Sequence, residues 1–309
     1  MAAFVNKSTT IRIIGVPMSL GQQRRGVDMG PNAIRYAGLQ ERLRSLGYDV
    51  YDHGDVPIPI DVSPIADAML DNDERHARRL PAVAQVCTEI YRQTLQHVQP
   101  DEFVIFLGGD HSIGIGTVAG ALSRGTHGVI WVDAHGDYNT PQTSPSGNIH
   151  GMPVASLLGD GSPLLTTIGG SAPRLQPAQM VMIGIRDLDL SERYRLSRSG
   201  IGVFTMTEVD EYGIGVVARQ TLEKLSTLDS IHVSLDMDSL DPSEAPGVGT
   251  PVRGGLTYRE AHLLMELLAQ SGKVRSLDIV EINPILDQRN RTAELAVELA
   301  ASLLGQRIL

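Results

Sequence analysis

Short apolar runs alternate with amphipathic segments along the chain of 309 residues. Short apolar runs are typical of buried strands, and apolar residues at helical spacing, as in residues 263–268, are typical of helices packed on a sheet. The runs predict strands near residues 10–16, 48–53, 103–107, 128–133, 180–185, 201–204, 231–236 and 275–281. The amphipathic segments predict helices near residues 31–44, 75–98, 113–123, 214–225, 257–270 and 290–304.

The order of these elements indicates the fold class. Strands alternate with helices, which favours an α/β fold with a mainly parallel central β-sheet flanked by helices on both faces. The sequence has no internal repeat and no linker that would divide it, so we expect a single domain over residues 1–309. Residues 61–78 are polar and acidic and are expected to form a surface connection. Ligands of such folds bind beyond the carboxyl ends of the strands.

Composition and charge exclude several classes of protein and of binding partner. A hydrophobic content of 42% excludes global disorder, and a formal net charge of −10 argues against binding to nucleic acid or anionic lipid. Cys87 is the only cysteine, which excludes an intrachain disulfide and a cysteine zinc cluster. Residues 1–17 lack a signal-like apolar run, and no stretch is long enough for a transmembrane helix. We therefore expect a soluble, cytoplasmic protein without nucleic-acid or membrane partners.

Carboxylates and imidazoles gather directly after three predicted strands, in residues 108–111, 133–137 and 236–238. In an extended backbone, residues two apart project to the same face, so the acidic side chains of a segment can share a side. Four carboxylates at two strand ends repel one another unless cations neutralise them. The simplest interpretation is a polynuclear metal site at the carboxyl edge of the sheet. Its candidate ligands are His111, Asp133, His135, Asp137, Asp236 and Asp238.

The ligand types indicate which metals fit. Histidine and carboxylate without thiolate suit Mn²⁺, Fe²⁺, Co²⁺ or Zn²⁺. A single ion that keeps a position open for chemistry rarely needs so many protein ligands, whereas two ions about 3.5–4 Å apart that share bridging carboxylates would use them all. Taken alone, an Asp-x-Asp pair after a strand is more often a turn or helix cap, and His111 alone is compatible with local backbone bonding. Three such segments after predicted strands favour the metal site.

Longer segments, in order along the chain, resemble the signature segments of the ureohydrolase family. These segments are residues 108–112, 133–137, 146–153, 234–243, 245–258 and 281–284. The similarity extends from about residue 14 to residue 304. Within that family the chain resembles the arginases most closely.

The resemblance implies a site with two Mn²⁺ ions per chain. One ion would be held by His111, Asp133, Asp137 and Asp236, and the other by His135, Asp133, Asp236 and Asp238, with Asp133 and Asp236 bridging. It also implies hydrolysis of L-arginine, in which a hydroxide between the ions attacks the guanidinium carbon and the products are L-ornithine and urea. Asp137 would steady that hydroxide by hydrogen bonding and is therefore also a catalytic candidate.

Two further residues are catalytic candidates by resemblance. His150 lies in a Ser- and Gly-rich loop and would carry protons to the leaving amine or to newly bound water, a role that its titration range suits. Glu281 lies at the carboxyl end of the last predicted strand, where a carboxylate can pair with a guanidinium in a bidentate fork. Without the motif, His150 is more often a solvent-facing loop residue, and Glu281 a helix cap or surface residue.

Substrate contacts are expected in the loops that follow the clusters, since loops on a rigid scaffold usually carry them. By resemblance, Asp189 and Glu192 would receive the α-ammonium of the substrate, and Asp187 would support that loop. The α-carboxylate would be bound by Asn139, Ser144 and Ser146, and Thr250 would lie near the guanidinium. The alternative for Asp187 and Asp189 is a pair of caps on a helix that begins near Ser191.

Other functions remain open from the sequence alone. The nearest alternative is another guanidino-substrate ureohydrolase, such as an agmatinase or a guanidinobutyrase. A single-zinc deacetylase of similar layout is disfavoured by the excess of carboxylates and by the presence of both His111 and His135. A catalytically silent metal protein is disfavoured by the intact His150 and Glu281. By resemblance, the chain is expected to form a homo-oligomer, a trimer or a hexamer.

Overall fold

A parallel sheet forms the centre of the molecule. The computed structural model describes residues 9–59, 74–171 and 174–307, and within them the sheet has eight strands whose pairings are all parallel. The strands are β1 (Ile11–Val16), β2 (Val50–Asp55), β3 (Phe103–Gly108), β4 (Gly128–Val132), β5 (Met180–Ile185), β6 (Gly202–Thr205), β7 (Ile231–Asp236) and β8 (Val274–Val280). Their order across the sheet is β2-β1-β3-β8-β7-β4-β5-β6.

Helices cover both faces of this sheet, as the alternating pattern predicts. In the described residues they are α1 (Gly30–Tyr36), α2 (Leu39–Ser45), α3 (Leu80–His97), α4 (Gly114–Ser123), α5 (Pro153–Leu157), α6 (Pro163–Thr166), α7 (Leu190–Leu196), α8 (Met206–Tyr212), α9 (Ile214–Lys224), α10 (Tyr258–Gln270) and α11 (Arg291–Leu303). None of the helices in this part of the chain is long and apolar enough to cross a membrane.

The helix prediction differs from the structure in three respects. The predicted helix at 31–44 is two helices, because Gly38 adopts a left-handed conformation (φ 84°) between α1 and α2. The helix predicted at 75–98 begins only at Leu80, after a short 3-10 turn. Helices α5, α6, α7 and α8 lie outside the predicted segments, because none of them exceeds 7 residues and each shows too little of the helical period.

Strand β2 lies two residues further along the chain than the predicted 48–53. It is an edge strand, and its side chains after Val50 are exposed. The buried apolar residues that led to the prediction therefore lie at the start of the strand and just before it. Tyr48 is one of these, and its buried hydroxyl donates to the carbonyl oxygen of Leu304 (2.8 Å). The predicted surface connection 61–78 lies mostly outside the described residues.

Strand β3 shows how the core is divided between the two faces of the sheet. Phe103, Ile105 and Leu107 point to one face, where they join the apolar cluster that includes residues of α9, α10 and α11. Val104 and Phe106 point to the other face and pack with residues of α3. Alternate residues are therefore buried on opposite sides, which explains why the run is apolar without interruption.

The central strands present the candidate site. β3, β8, β7, β4 and β5 are neighbours in that order, and because they are parallel, their carboxyl ends meet at one edge. The residues at these ends are His111 after β3, Glu281 after β8, Asp236 at the end of β7, Asp133 after β4 and Asp187 after β5. The strand order thus gathers residues that are up to about 170 positions apart in the sequence.

Candidate metal centre and active site

The six predicted metal ligands come together at the carboxyl edge of the sheet. Among the described residues, two overlapping groups offer ligand atoms that all lie within 4.8 Å of one another: His111 with Asp133 and Asp236, and Asp133 with His135 and Asp238. Asp137 joins the same cluster, because its Oδ2 lies 3.1 Å from His111 Nδ1. Asp133 belongs to both groups, which is the position of a bridging ligand.

The ring of His111 faces more carboxylate oxygens than it can satisfy. Its Nδ1 lies 3.1 Å from the Oδ2 atoms of Asp133, Asp137 and Asp236. A ring nitrogen carries at most one proton, and three acceptors cannot share it. Neither His111 Nδ1 nor Asp137 Oδ2 has a hydrogen-bond partner among the described residues, although both are buried. Buried polar atoms without a hydrogen-bond partner need another partner, and a bound cation would supply it here.

His135 occupies the other end of the cluster. Its Nδ1 lies 3.4 Å from Asp133 Oδ1 and 3.2 Å from Asp238 Oδ2. The hydroxyl of Thr250 donates to the same Asp238 oxygen (2.8 Å) and so fixes that carboxylate. Carboxylates and imidazoles without thiolate suit a divalent cation such as Mn²⁺ or Zn²⁺. The donor set and the crowded oxygens therefore fit metal binding.

Burial and mutual repulsion shift the protonation of the cluster. Burial raises the pKa of Asp236 well above its usual range, and the charges of Asp238 and Asp133 raise it further. Burial, followed by the Asp133 charge, raises the pKa of Asp137 to about 6. Burial lowers the pKa of His111, but its three carboxylate neighbours outweigh this and raise it well above the usual value. In the absence of cations the cluster therefore takes up protons, so protons and metal ions compete for it.

Glu281 fixes the ring of His150 through a hydrogen bond. His150 Nδ1 donates to Glu281 Oε1 (3.1 Å), which also accepts the backbone N–H of His111 (2.9 Å). The second oxygen, Oε2, accepts Gln22 Nε2 (2.9 Å). Glu281 is 1% exposed. Both of its oxygens accept hydrogen bonds from donors of the chain, among them His150, and the bidentate fork to a guanidinium stays a prediction.

A cavity of about 300 Å³ opens in front of the cluster. All seven predicted substrate contacts line it, namely Asn139, Ser144, Ser146, Asp187, Asp189, Glu192 and Thr250. His150 and five of the six candidate metal ligands line it as well. Asp133 and Glu281 are absent from the described residues that form its wall. The cavity therefore joins the predicted substrate residues to the predicted metal residues.

Helix α7 begins in this wall, and one residue caps it instead of the pair that was the alternative to substrate contacts. Asp189 Oδ1 accepts the backbone N–H of Glu192 (2.9 Å) and caps the helix, whereas Oδ2 accepts Asn139 Nδ2 (2.8 Å). Asp187 does not cap α7; its side chain is 64% exposed, and Oδ2 lies 3.9 Å from His135 Nε2. Burial raises the pKa of Glu192 to about 8, against the opposing hydrogen bond from the Tyr138 N–H.

The structure adds three supporting residues that the sequence analysis missed. Trp131 stacks on His111 (ring centroids 4.0 Å apart) and donates from Nε1 to Asp133 Oδ2 (3.0 Å). Gln22 donates a hydrogen bond to Glu281. Arg186 donates to the carbonyl oxygens of Asp238 (2.7 Å) and of residues 239 and 252, which ties the loops together. Only Trp131 carried a sequence signal, because it is two residues before Asp133 and shares its face.

A parallel α/β sheet with a buried His/Asp cluster at its carboxyl edge and a polar cavity in front defines a metallohydrolase of the ureohydrolase type. The Arginase family model matches residues 9–305, and the chain belongs to this family, as the sequence motifs predict. It is 52% identical to an arginase of Bacillus caldovelox over 97% of this chain and 99% of that protein.

Solved structures agree with this assignment. A structure of the Bacillus caldovelox arginase matches with a TM-score of 0.92 and 51% identity, covering 97% of this chain and 100% of that chain. An Entamoeba histolytica arginase solved in complex with L-ornithine matches with a TM-score of 0.87 and 32% identity, covering 97% of this chain and 99% of that chain. The arginase-like fold class is therefore confirmed.

Proposed function

We propose that this chain hydrolyses L-arginine to L-ornithine and urea. The observation that carries the proposal is the cavity in which the predicted α-group contacts and the His/Asp cluster face one another. Relatives named arginase at up to 52% identity over nearly the whole chain support it, and one arginase of the family was solved with L-ornithine. The alternative is another guanidino-substrate ureohydrolase, such as an agmatinase or a guanidinobutyrase.

The cluster would hold two Mn²⁺ ions. The residues that would hold them are His111, Asp133, His135, Asp137, Asp236 and Asp238, of which Asp133 belongs to both groups of ligand atoms. The resemblance implies Asp236 as a second shared ligand. When bound, the ions supply Lewis acidity, which brings the ionisation of water close to neutral pH and so provides a nucleophile. The unpartnered Nδ1 of His111 and Oδ2 of Asp137 are the atoms that most directly support this proposal.

The side chains of the cavity would then position and protonate the substrate. Attack of water on the guanidinium carbon adds a C–O bond, and the bond from that carbon to the Nε of arginine breaks. The departing nitrogen needs a proton to leave as an amine. His150 lines the cavity and keeps its Nδ1 on Glu281, so its Nε2 is the nitrogen that can give this proton. Asp137 would orient the attacking water by hydrogen bonding.

Other residues that line the same cavity would bind the α-groups of arginine. Asp189 and Glu192 present carboxyl groups for the α-ammonium, and Asn139, Ser144 and Ser146 present neutral donors for the α-carboxylate. Asp187 would support the loop, and Thr250 would lie beside the guanidinium. Agmatine lacks the α-carboxylate, and guanidinobutyrate lacks the α-ammonium, so the two compounds separate these contacts.

The test is urea release from L-arginine, agmatine and guanidinobutyrate, each with added Mn²⁺ and after chelation. We expect release from L-arginine to be fastest, and only when Mn²⁺ is present. Preference for agmatine or guanidinobutyrate would replace arginase activity with the alternative. Full activity after complete removal of metal would contradict the metal-dependent mechanism.

We further propose that residues 1–309 act as one domain, since strands from both ends of the chain alternate in one sheet. The same resemblance suggests a homo-oligomer, a trimer or a hexamer, whose mass sedimentation equilibrium would measure. The net charge of −10 supports a protein without nucleic-acid or membrane partners, and we also propose a cytoplasmic location.

A further inference from the structure

A buried chain of hydrogen bonds runs from His111 away from the cavity. Its ring Nε2 lies 2.9 Å from the hydroxyl oxygen of Ser234 on β7. Ser234 Oγ in turn donates to Asp278 Oδ2 on β8 (3.2 Å). The hydroxyl of Thr117 on α4 donates to the same carboxylate oxygen (2.7 Å), and the ring Nε2 of His232 lies 3.1 Å from it. All five residues are at most 1% exposed, so water does not compete with these contacts.

The chemistry of the groups sets the direction of these hydrogen bonds. A carboxylate only accepts, so the single hydroxyl proton of Ser234 points to Asp278. Ser234 Oγ can then only accept from the imidazole, so in the neutral ring that a metal ligand must be, the single proton of His111 is placed on Nε2. Its Nδ1 is left with a lone pair, directed towards the three carboxylate oxygens at 3.1 Å. A lone pair among carboxylates is a ligand position that lacks a proton and needs a cation.

We propose that Asp278 is a positioning residue that, through Ser234, fixes His111 in the tautomer that ligates metal. It thereby contributes to the metal affinity of the cluster, although it touches neither the cavity nor any of the six candidate ligands. The inference rests on the proposed metal site and does not depend on the substrate. Partners that orient a ligating histidine typically change metal affinity about 10- to 100-fold when they are removed.

The test is calorimetric titration of Mn²⁺ into the full chain after chelation. Asp278→Asn keeps the size of the side chain, but its amide can donate to Ser234 and reverse the hydrogen bonds. Ser234→Ala removes the connecting hydroxyl by an independent change. We expect the Kd for Mn²⁺ to rise about 10- to 100-fold in both variants. Circular dichroism and thermal melting of each variant establish that it is folded.

Ser302→Ala is the matched control. Ser302 is a buried hydroxyl on α11 that also bonds to a histidine, His262 Nδ1 (2.9 Å), but it lies outside the hydrogen bonds of Asp278. We expect this variant to bind Mn²⁺ as the unchanged chain does. Folded Asp278→Asn and Ser234→Ala variants with unchanged Mn²⁺ affinity would overturn the inference, as would equal losses in Ser302→Ala. An unchanged chain that binds Mn²⁺ but leaves L-arginine intact would overturn the proposed substrate and not the role of Asp278.

Discussion

His150 and Glu281 form a buried pair whose charge state follows from their contacts. Burial lowers the pKa of His150, but the hydrogen bond and charge of Glu281 outweigh it and raise the pKa to about 9. Burial raises the pKa of Glu281, yet its bonds to His150 and the backbone of His111 bring it below the usual value. At neutral pH the metal-free pair is therefore an imidazolium and a carboxylate, which is the state required of a proton donor.

Replacing His150 by Asn tests the proton-transfer role. We expect turnover of L-arginine to fall about 100-fold or more, because that is the scale of a lost general acid. The Mn²⁺ content, measured by elemental analysis, should stay unchanged, since His150 is outside the ligand cluster. His53→Asn, an exposed histidine on β2, is the control. Undiminished turnover in the His150 variant would reject the proton-transfer role.

The same pair predicts a pH dependence of stability in the metal-free chain. The folded pKa of His150, about 9, exceeds the unfolded value of about 6.5. Its contribution is therefore fully present below about pH 6.5 and is lost as the pH rises through about 9. We expect the Tm difference between the unchanged chain and His150→Asn to shrink from about pH 6 to about pH 10. A difference that is constant over this range would contradict the assigned pair.

At the scale of an element, the residue that caps helix α7 also lies in the wall of the cavity. Asp189 caps the helix with one oxygen and meets Asn139 in the cavity wall with the other. The competing explanations from the sequence, a cap or a substrate contact, are therefore not exclusive. Truncation to Ala would remove both roles together and could not separate them.

Asp189→Asn separates them, because the amide oxygen retains the capping bond while the charge is lost. A charge-assisted hydrogen bond contributes about 1.5–3 kcal/mol, which is roughly 10- to 150-fold in kcat/KM. We expect that loss for L-arginine and little change for guanidinobutyrate, which lacks the α-ammonium. Steady-state urea release from both substrates measures it. Equal losses for both would leave Asp189 with the capping role alone.

For the whole molecule, the buried cluster links metal binding to stability. Four carboxylates brought together at low exposure repel one another, and bound cations remove that repulsion. An ion at about 100 times its Kd stabilises the fold by about 2.7 kcal/mol per site. We therefore expect chelation to lower the Tm and added Mn²⁺ to restore it in proportion to the logarithm of its concentration. Differential scanning calorimetry measures this, and a Tm insensitive to Mn²⁺ would contradict the metal site.

Two variants test whether the Mn²⁺-dependent rise in Tm comes from the cluster: Asp133→Ala removes a ligand, and Asp160→Ala is its control. Asp133 belongs to both ligand groups, so its loss should remove most of the Mn²⁺-dependent rise in Tm. Asp160→Ala, which removes an aspartate whose side chain is 59% exposed, should leave the Mn²⁺ response intact.

The spacing of apolar residues along the sequence was sufficient to predict most of the strands and helices, because within one element it reports which faces are buried. The eight predicted strands are all present, and seven of them agree with the structure to within one residue at each end. The apolar pattern of β3 was readable because both of its faces are buried. Prediction was least accurate at β2, where an edge strand faces solvent and the local pattern no longer reports burial.

The sequence by itself also determined which residues follow the strands, and hence the six clustered ligands, whereas the predicted cavity residues came from its resemblance to a known family. Only the tertiary structure decided how side chains distant in sequence pair. Gln22 reaches Glu281 across 259 positions, and Asp278 meets Thr117 across 161. The strand order β3-β8-β7 creates these contacts, and no local pattern encodes that order. Glu281 became the partner of His150 because packing placed donors around both of its oxygens, a result that depends on three-dimensional neighbours and not on residue type.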